Sequence, residues 1–151
     1  MMSSGFADKT HYFDLRVFYE DTDFSGVVYH ANYLKYAERG RSDFLRLSGV
    51  HHSELLELDV PLVFVITHMD IDFLAPARID DELRVLSVCT LAKGPRMQFQ
   101  QMVMRGDTCL WRAKLKAACV DLDSRPRRLP QDVSDNLAPY IVDAPPEIFT
   151  S

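Results

Sequence analysis

The segment from Tyr19 to Gly49 limits the possible folds more than any other part of the chain, because it contains the one long helical pattern. From a start near residues 30–32, apolar and small residues recur at spacings of three and four, which predicts a helix with one buried face. Charged residues, Asp43 among them, lie mostly off this face. Small side chains at its middle favour close packing against another element, and Gly49 is suited to end the helix. The predicted face comprises Tyr33, Leu34, Ala37, Gly40, Phe44, Leu45 and Ser48.

The remaining periodic segments have strand patterns. They are rich in β-branched and aromatic residues, or they alternate apolar with polar residues. Tight turns at residues 93–96 and 105–107 favour antiparallel neighbours. One long helix on one face of a five-stranded antiparallel sheet is an α+β fold. The five runs begin near His11, Pro61, Leu83, Met97 and Cys109.

Alternation also predicts which side chains share a face of the sheet. In the second strand run, Val63, Val65 and Met69 fall on one face. In the last run, Cys109 and Trp111 fall together on the face that alternation marks as buried. Each of these runs is therefore expected to bury one set of alternate residues along its whole length.

The length of 151 residues fits one domain with a substantial core. We expect a loose polar tail at residues 1–10, the folded domain at 11–130 and a C-terminal extension at 131–151, because five of the eight prolines follow residue 123. One helix covers a five-stranded sheet incompletely. We therefore expect a homodimer, joined edge to edge through a strand, or a homotetramer built from such dimers.

Bulk properties narrow the class of protein. A net charge of −5 argues against nucleic-acid binding as the main role. The three cysteines, Cys89, Cys109 and Cys119, are odd in number and form no CxxC pair, which is typical of buried thiols in a reducing compartment. No apolar run reaches the roughly 20 residues that a transmembrane helix needs, and the first residues lack a signal-peptide pattern. A cytoplasmic location is therefore predicted.

Two aspartates, Asp21 and Asp23, stand just before the predicted helix. Amides at a helix N-terminus lack backbone partners and lie at the positive end of the helix dipole, so they favour developing negative charge. A carboxylate beside such amides is the minimal equipment for acyl transfer. At a reference pKa of about 3.9 an aspartate is ionised at neutral pH, as a nucleophile or base must be. An aspartate that only stabilises the turn is the alternative.

The pattern DTD-x-x-G-x-V-Y-x-x-N-Y at residues 21–33 resembles the 4-hydroxybenzoyl-CoA thioesterase-like family of hotdog-fold enzymes. It looks closest to the branch of small bacterial acyl-CoA thioesterases associated with the Tol-Pal system. FLAPARIDDELRV at 73–85 and DSRPRRLP at 123–130 extend the similarity over about residues 12–130. The resemblance implies a sheet wrapped around one long helix and hydrolysis of a coenzyme A thioester without a cofactor.

By motif position, Asp23 matches the family's catalytic carboxylate, and His30 matches the position whose backbone amide polarises the thioester carbonyl. Asp23 attacks the thioester directly or activates a water, and both mechanisms stay open. The His30 side chain is a second candidate for proton transfer or for orienting Asp23, whereas Asp21 is expected to support the turn. The chain departs from the family pattern at two positions. At Ser25 alanine or glycine is more usual, and at Gly40 alanine is more usual.

Substrate-binding candidates lie in two regions. Tyr29 and Asn32 flank the start of the helix; Asn32 could instead cap it, and Tyr29 could simply pack. The phosphates of coenzyme A need cations, because the sequence has no glycine-rich phosphate loop. Arg96, Arg127 and Arg128, together with the neighbouring Arg125, are the candidates, with a solvated tail as the alternative.

Other titratable residues receive structural interpretations. Glu38 is expected to form an ion pair with Arg39 or Arg41 rather than to act as a catalytic carboxylate. His51 and His52 are not accompanied by further ligands at metal-binding spacing, so no metal is expected.

The leading hypothesis is an acyl-CoA thioesterase. An alternative of a different class is a non-catalytic hotdog protein that binds acyl-CoA or acyl carrier protein as a scaffold. A dehydratase acting on hydroxyacyl thioesters is the third, and the His30/Glu38 pair does not resemble the motif of that family. The acyl group stays open, because Phe24, Phe44, Phe64 and Phe73 fit an aliphatic pocket, an aromatic pocket or the core.

Overall fold

A computed structural model describes residues 2–149 of the chain. The six strands are β1 (Ser4–Ala7), β2 (Thr10–Arg16), β3 (Leu62–Phe73), β4 (Glu82–Lys93), β5 (Arg96–Arg105) and β6 (Thr108–Asp121). The α-helices are α1 (Asn32–Leu47), α2 (His52–Leu56) and α3 (Gln131–Leu137). Single 3₁₀ turns lie at Tyr19–Asp21, Ala138–Tyr140 and Glu147–Phe149. Within these residues no helix is long and apolar enough to span a membrane.

The strands form one antiparallel sheet in the order β1-β2-β4-β5-β6-β3. The predicted α+β layout with one long helix is confirmed, but the sheet has six strands rather than five. The additional strand, β1, lies inside the segment that was expected to be a loose tail, and that expectation is wrong for Ser4–Ala7. Phe6 anchors this strand, because its ring lies 5.0 Å from Phe44 and 4.3 Å from Tyr140 between centroids.

Helix α1 packs closely on the sheet at Gly40. A Cβ atom built there would stand 2.8 Å from Cγ1 of Val85, so only glycine fits without movement of the neighbour. The helix stops at Gly49, which has φ +97°. The amides of Val50 and Gly49 donate to the carbonyls of Leu45 and Arg46 at 2.8 and 3.0 Å, which satisfies the last turn. The roles predicted for Gly40 and Gly49 are therefore confirmed.

The buried face of α1 differs from the predicted stripe at four positions, one of which is the buried Asn32 at its start. Leu34 is 39% exposed, whereas Tyr36 and Asp43 are buried. Asp43 was expected off this face and instead accepts a hydrogen bond from His11 Nε2 at 2.7 Å in β2 and from Arg46 at 2.6 Å. Burial of a charged carboxylate is tolerated here because both oxygens have partners.

Two register shifts change the facing of side chains that alternation placed together. In β3 the shift lies between Ile66 and His68, so that Phe64 before it and Met69 after it pack into the same core. Val63 and Val65 therefore do not share the face of Met69, contrary to the prediction. A bulge inserts one residue and reverses the alternation beyond it.

The second shift lies between Val103 and Met104 of β5, opposite the start of β6. Cys109 packs with Met104 on the face of the sheet away from α1, whereas Trp111 is fully buried against the helix side. The prediction that Cys109 and Trp111 share a face is wrong, and the prediction that Trp111 is a core residue is confirmed.

The cysteines within the described residues are free thiols. Cys89 and Cys119 are buried, as expected, and Cys109 is half-buried. Burial raises the pKa of Cys89 to about 12. A thiol with such a pKa stays protonated and unreactive at neutral pH.

The C-terminal extension is docked on the domain. In α3, Val133 and Leu137 join the core cluster around Phe44. Farther along, the Val142 amide donates to the carbonyl of Cys89 at 3.0 Å, and Phe149 packs on the opposite face of the sheet. Residues 150 and 151 lie outside the described part of the extension, and the division of the chain into tail, domain and extension stays a prediction.

Candidate functional site

Asp23 stands on a tight turn that leads from the end of β2 to α1. Its backbone amide donates to the carbonyl of Val27 at 2.9 Å, and its carbonyl accepts from Gly26 at 3.0 Å. Gly26 has φ +84°, a conformation that side-chain-bearing residues rarely adopt. Thr22 pairs with Val28 in an antiparallel bridge just below the turn. The turn therefore holds Asp23 in a defined place although its side chain faces solvent.

The carboxylate of Asp23 has one engaged and one free oxygen. Oδ1 accepts hydrogen bonds from the Ser25 hydroxyl at 2.6 Å and from the Ser25 backbone amide at 2.8 Å. No hydrogen bond from a described residue is made to Oδ2, and the nearby amides of Val27 and of Asp23 itself act on the carboxylate more weakly than Ser25 does. The two hydrogen bonds from Ser25, that of the hydroxyl first, lower the pKa of Asp23 below its usual value. The group is therefore anionic at neutral pH, with one oxygen available to a substrate or a water.

The contacts of Asp21 are those of the structural role predicted for it. Its Oδ2 accepts from the Phe18 amide at 2.8 Å. Its carbonyl accepts from the Tyr29 amide at 2.9 Å and from Asn32 Nδ2 at 2.8 Å. Asn32 therefore ties the first turn of α1 to the loop before it. The alternative of Asn32 as a helix-capping side chain is wrong, because its amide group bonds the loop rather than an amide of the helix.

The start of α1 presents free backbone amides. The Asn32 amide donates to the Tyr29 carbonyl at 2.8 Å, whereas the amides of His30 and Ala31 find no acceptor among residues 2–149. The His30 side chain is exposed, with its ring centroid 4.5 Å from that of Tyr29 and 6.3 Å from that of Phe73. No hydrogen bond joins this ring to Asp23 or to any other described residue. The backbone of His30, rather than its side chain, is therefore prepared to bind a negatively charged oxygen.

The segment after β3, through Ala77, is hydrogen-bonded to the first turn of α1 and to the β-bridge residue before it. The Tyr33 hydroxyl accepts from the Ala77 amide at 3.0 Å, and the Ala77 carbonyl accepts from the Val28 amide at 2.8 Å. Phe24, at the tip of the turn, is fully exposed, and Phe73 is 56% exposed. Exposed aromatic side chains therefore lie at the tip of the turn and beside His30, and the described part of the chain does not cover them.

The candidate arginines lie at the other end of α1. The Arg127 amide donates to the Cys119 carbonyl at 2.9 Å, and β5 begins at Arg96 opposite Ala118, so these two residues are close along the sheet. This end of the sheet packs under the C-terminal half of α1. The whole helix has 16 residues and is about 24 Å long, and the Asp23 turn lies before its other end. Arg127 Nε also donates to Asp121 at 2.8 Å. One chain therefore does not bring Arg96, Arg127 or Arg128 to Asp23.

A cavity of about 260 Å³ lies between α1 and β3. Its rim is polar, and its floor is apolar. Arg41 on the rim donates to Gln101 Oε1 at 2.9 Å. No basic nitrogen lies within 4 Å of the Glu38 carboxylate in the described residues, so the predicted ion pair of Glu38 is wrong. Glu38 acts on Arg41 only at longer range, where its charge works to raise the pKa of the guanidinium against the larger effect of burial. A larger cleft of about 580 Å³ lies on the opposite face of the sheet, and no predicted site residue lines it. The smaller cavity is lined by Glu38, Arg41, Ser42, Leu45, His52, Phe64, Ile66, Met97, Phe99 and Ala117.

Sequence reasoning recognised Ser25 only as a departure from a family pattern. Its contact with Asp23 was missed, although Asp-x-Ser spacing in a turn is a known signal for a side chain that bonds its neighbours two residues away. The contact of Arg41 with Gln101 carries no local signal, because the partners are 60 residues apart.

Comparison with known proteins identifies the family. A family model described as the thioesterase-like superfamily matches residues 17–137, which includes the turn, α1 and the four long strands. The chain belongs to the thioesterase-like superfamily. Its predicted resemblance to hotdog thioesterases, and the enzyme class of thioester hydrolase, are confirmed at the level of this family.

Members of the thioesterase-like superfamily resemble the chain over most of its length. An acyl-CoA thioesterase YbgC from Haemophilus influenzae is 40% identical over 134 residues, which cover 88% of this chain and 94% of the relative. An acyl-CoA thioester hydrolase YbgC from Escherichia coli is 38% identical over 121 residues, covering 79% and 89%. The crystal structure of a probable thioesterase from Bartonella henselae has a TM-score of 0.77 and 42% identity, covering 80% of this chain and 99% of that one.

Proposed function

We propose that this protein hydrolyses acyl-CoA thioesters at the turn that precedes α1. The observation that carries the proposal is the exposed Asp23 carboxylate with a free Oδ2, followed seven residues later by the unpartnered amide of His30. The YbgC relatives, named as acyl-CoA thioesterases, support the substrate class. In this arrangement the His30 amide donates to the thioester oxygen, and it binds more strongly as that oxygen gains charge in the transition state.

In the nucleophilic form of the mechanism, Oδ2 of Asp23 attacks the carbonyl carbon. The carbon–sulfur bond breaks, and coenzyme A leaves as a thiolate that takes a proton from solvent. The resulting mixed anhydride reacts with water, which releases the free acid and restores the carboxylate. The low pKa of Asp23 suits this form, because the anion is present throughout the neutral range.

In the general-base form, Oδ2 accepts a proton from a water as that water attacks the carbonyl carbon. The tetrahedral intermediate then expels the thiolate, which takes the proton back from Asp23. The same oxyanion site at the His30 amide serves both forms. Neither needs proton transfer by the His30 side chain, which hydrogen-bonds no described residue.

A homodimer through β3 would complete the coenzyme A site. Strand β3 ends the sheet with one unpaired edge, and Val65 and Ile66 on it are about 40% exposed (39% and 42%). Antiparallel pairing of two β3 strands about their middle places the Phe73 end of one chain beside the Leu62 end of the other. Such a dimer shields the exposed edge and its apolar side chains from solvent.

This pairing also explains the distant arginines. Within one chain, Arg96 lies opposite Ala118, which lies opposite Val65, so Arg96 is level with the first half of β3. The dimer therefore brings Arg96 of one chain, with Arg127 and Arg128, towards the Asp23 turn of the other. There the arginines would hold the phosphates of coenzyme A while the exposed Tyr29 lines the thioester end. Asn32, which was also a substrate-binding candidate, is buried and bonded to the Asp21 carbonyl, so it supports the loop behind the site.

Thiol release from a panel of short, medium, long and aromatic acyl-CoAs tests the proposal. Asp23→Asn keeps the shape and removes the charge, so kcat is expected to fall by about 100-fold to 10,000-fold. Asp59→Asn, at an exposed aspartate without a hydrogen-bond partner in the described residues, is the matched control and should keep wild-type activity. Full activity of Asp23→Asn would refute the assignment. Tight binding of acyl-CoA by the wild type without thiol release would favour the scaffold alternative.

A further inference from the structure

We propose that Ser25 is a positioning residue that orients the Asp23 carboxylate, with Oδ1 held and Oδ2 left free for the reaction. The inference rests on the proposed role of Asp23 and goes beyond it, because it assigns separate roles to the two carboxylate oxygens. Both donors of Ser25 bond the same oxygen, at 2.6 Å from the hydroxyl and 2.8 Å from the backbone amide.

The distances indicate hydrogen bonds to an anion. An O–H···O⁻ bond between a hydroxyl and a carboxylate is usually about 2.5–2.7 Å long, and the Ser25 bond falls in this range. Such bonds are stronger than neutral ones. Two of them hold the plane of the carboxylate, since a partial turn about its last side-chain bond breaks both, and a half turn restores the same arrangement with the two equivalent oxygens exchanged.

The Ser25 hydroxyl supplies a second hydrogen-bond donor in addition to the backbone amide. Every residue except proline offers a backbone amide at position 25, whereas the short serine side chain adds a second donor at the same oxygen. Asp23 is exposed, and no other side chain among the described residues lies within hydrogen-bond distance of its carboxylate. The amides of Val27 and of Asp23 itself also lower the pKa of this carboxyl, but less than Ser25 does, so Ser25 is the main polar constraint on the group. A catalytic group that is already oriented loses less conformational entropy on reaching the transition state.

A purely structural serine would behave differently. If the Ser25 hydroxyl only shaped the turn, its removal would change stability but leave the ionisation of Asp23 as it was. The hydrogen bonds from Ser25 are instead the main cause of the lowered pKa of Asp23. The pH dependence of the reaction therefore separates a positioning role from a structural one.

The first test compares Ser25→Ala with Ser25→Thr, which keeps the hydroxyl, and with Ser53→Ala as a matched exposed serine on α2. In Ser25→Ala we expect kcat to fall by about 3-fold to 10-fold, as loss of one hydrogen bond at an exposed site produces, with KM nearly unchanged. The acid limb of kcat/KM should move to higher pH. Ser25→Thr should restore both, and Ser53→Ala should match the wild type. Superimposable pH profiles for Ser25→Ala and wild type would overturn the proposal.

The second test does not depend on activity. Carbon-13 NMR of the side-chain carboxyl of Asp23, assigned by the loss of its signal in Asp23→Asn, reports the ionisation directly. The titration midpoint should be higher in Ser25→Ala than in wild type and in Ser25→Thr. An unchanged midpoint would remove the role of Ser25 while leaving the proposed function intact if Asp23→Asn is inactive. Full activity of Asp23→Asn would instead refute the proposed function itself.

Discussion

Single aspartates of this chain serve different purposes because their surroundings differ. Asp23 is exposed and has one oxygen without a hydrogen bond. Asp21 accepts from the Phe18 amide through its side chain and supports the turn. Asp43 is buried on the inner face of α1. All three precede or lie within the same segment and look alike in the sequence. Only Asp23 combines charge, access and neighbouring free amides, which is why it alone is assigned the chemistry.

Removing the carboxylate of Asp43 should destabilise the fold. In Asp43→Ala the buried His11 Nε2–H loses its acceptor, so we expect the free energy of unfolding to fall by about 2–3 kcal/mol. Arg46→Ala removes the partner whose side chain is 64% exposed and should cost less than about 1 kcal/mol. Urea unfolding followed by circular dichroism measures both. Equal losses in the two variants would contradict a buried His11–Asp43 contact.

The same pair predicts how stability depends on pH. Burial lowers the pKa of His11 from 6.5 and outweighs the opposing effect of Asp43. Burial works to raise the pKa of Asp43, but hydrogen bonds from His11, Ser4 and Arg46 outweigh it and leave the pKa below 3.8. With both pKa values lower in the folded state, the unfolded state takes up protons first as pH falls.

Stability should therefore be fully present above about pH 6.5 and decline below it, first through His11 and then, below about pH 3.8, through Asp43. Unfolding in urea between pH 8 and pH 4 measures the first decline. His11→Gln, which does not titrate, should show a shallower decline over this range than the wild type. Stability that rises as the pH drops from 7 to 5 would be inconsistent with the lowered pKa of His11.

Helix α1 carries both the core and the candidate oxyanion site, and its position depends on Gly40. The helix approaches β4 so closely that Val85, which is fully buried, leaves no room for a Cβ atom at position 40. A glycine in a helix interior costs about 1 kcal/mol relative to alanine, so packing must favour it here. The depth at which α1 lies on the sheet also sets where its first turn meets Asp23.

Gly40→Ala should lower stability by about 1 kcal/mol net, because overpacking against Val85 outweighs the gain in helix propensity. Val85→Ala removes the clashing methyl group and should cost about 2 kcal/mol alone. The double variant should be more stable than the sum of the two single effects predicts. Chemical unfolding of all four proteins completes the cycle, and strict additivity would argue against the contact.

For the whole molecule, the free edge of β3 points to assembly. Charged residues on an edge strand oppose strand pairing, so Val65→Lys/Ile66→Lys should shift the protein from dimer to monomer and reduce thiol release. Leu47→Lys, at an exposed leucine at the end of α1, is the control and should leave the mass unchanged. Sedimentation velocity measures the mass. A monomeric wild type with full activity would contradict the composite site.

The sequence by itself determined the elements that depend on local pattern: the extent of α1, its end at Gly49, the long strands and the motif around Asp23. These follow from side-chain periodicity and turn chemistry within a few residues. The tertiary structure decided what depends on distant partners. Strand β1 forms because Phe6 packs on Phe44 and Tyr140. Asp43 is buried because His11, 32 residues earlier in the sequence, donates a hydrogen bond to its carboxylate.

The bulges in β3 and β6 and the separation of the arginines from Asp23 also depend on distant partners. Strand register is set by contacts across the sheet, and a shift by one residue reverses which side chains face the core. The role of Ser25 depends both on the local sequence and on the folded structure. Its spacing from Asp23 was visible in the sequence, but which donor meets which oxygen depends on the folded turn, where the amide and the hydroxyl converge on Oδ1.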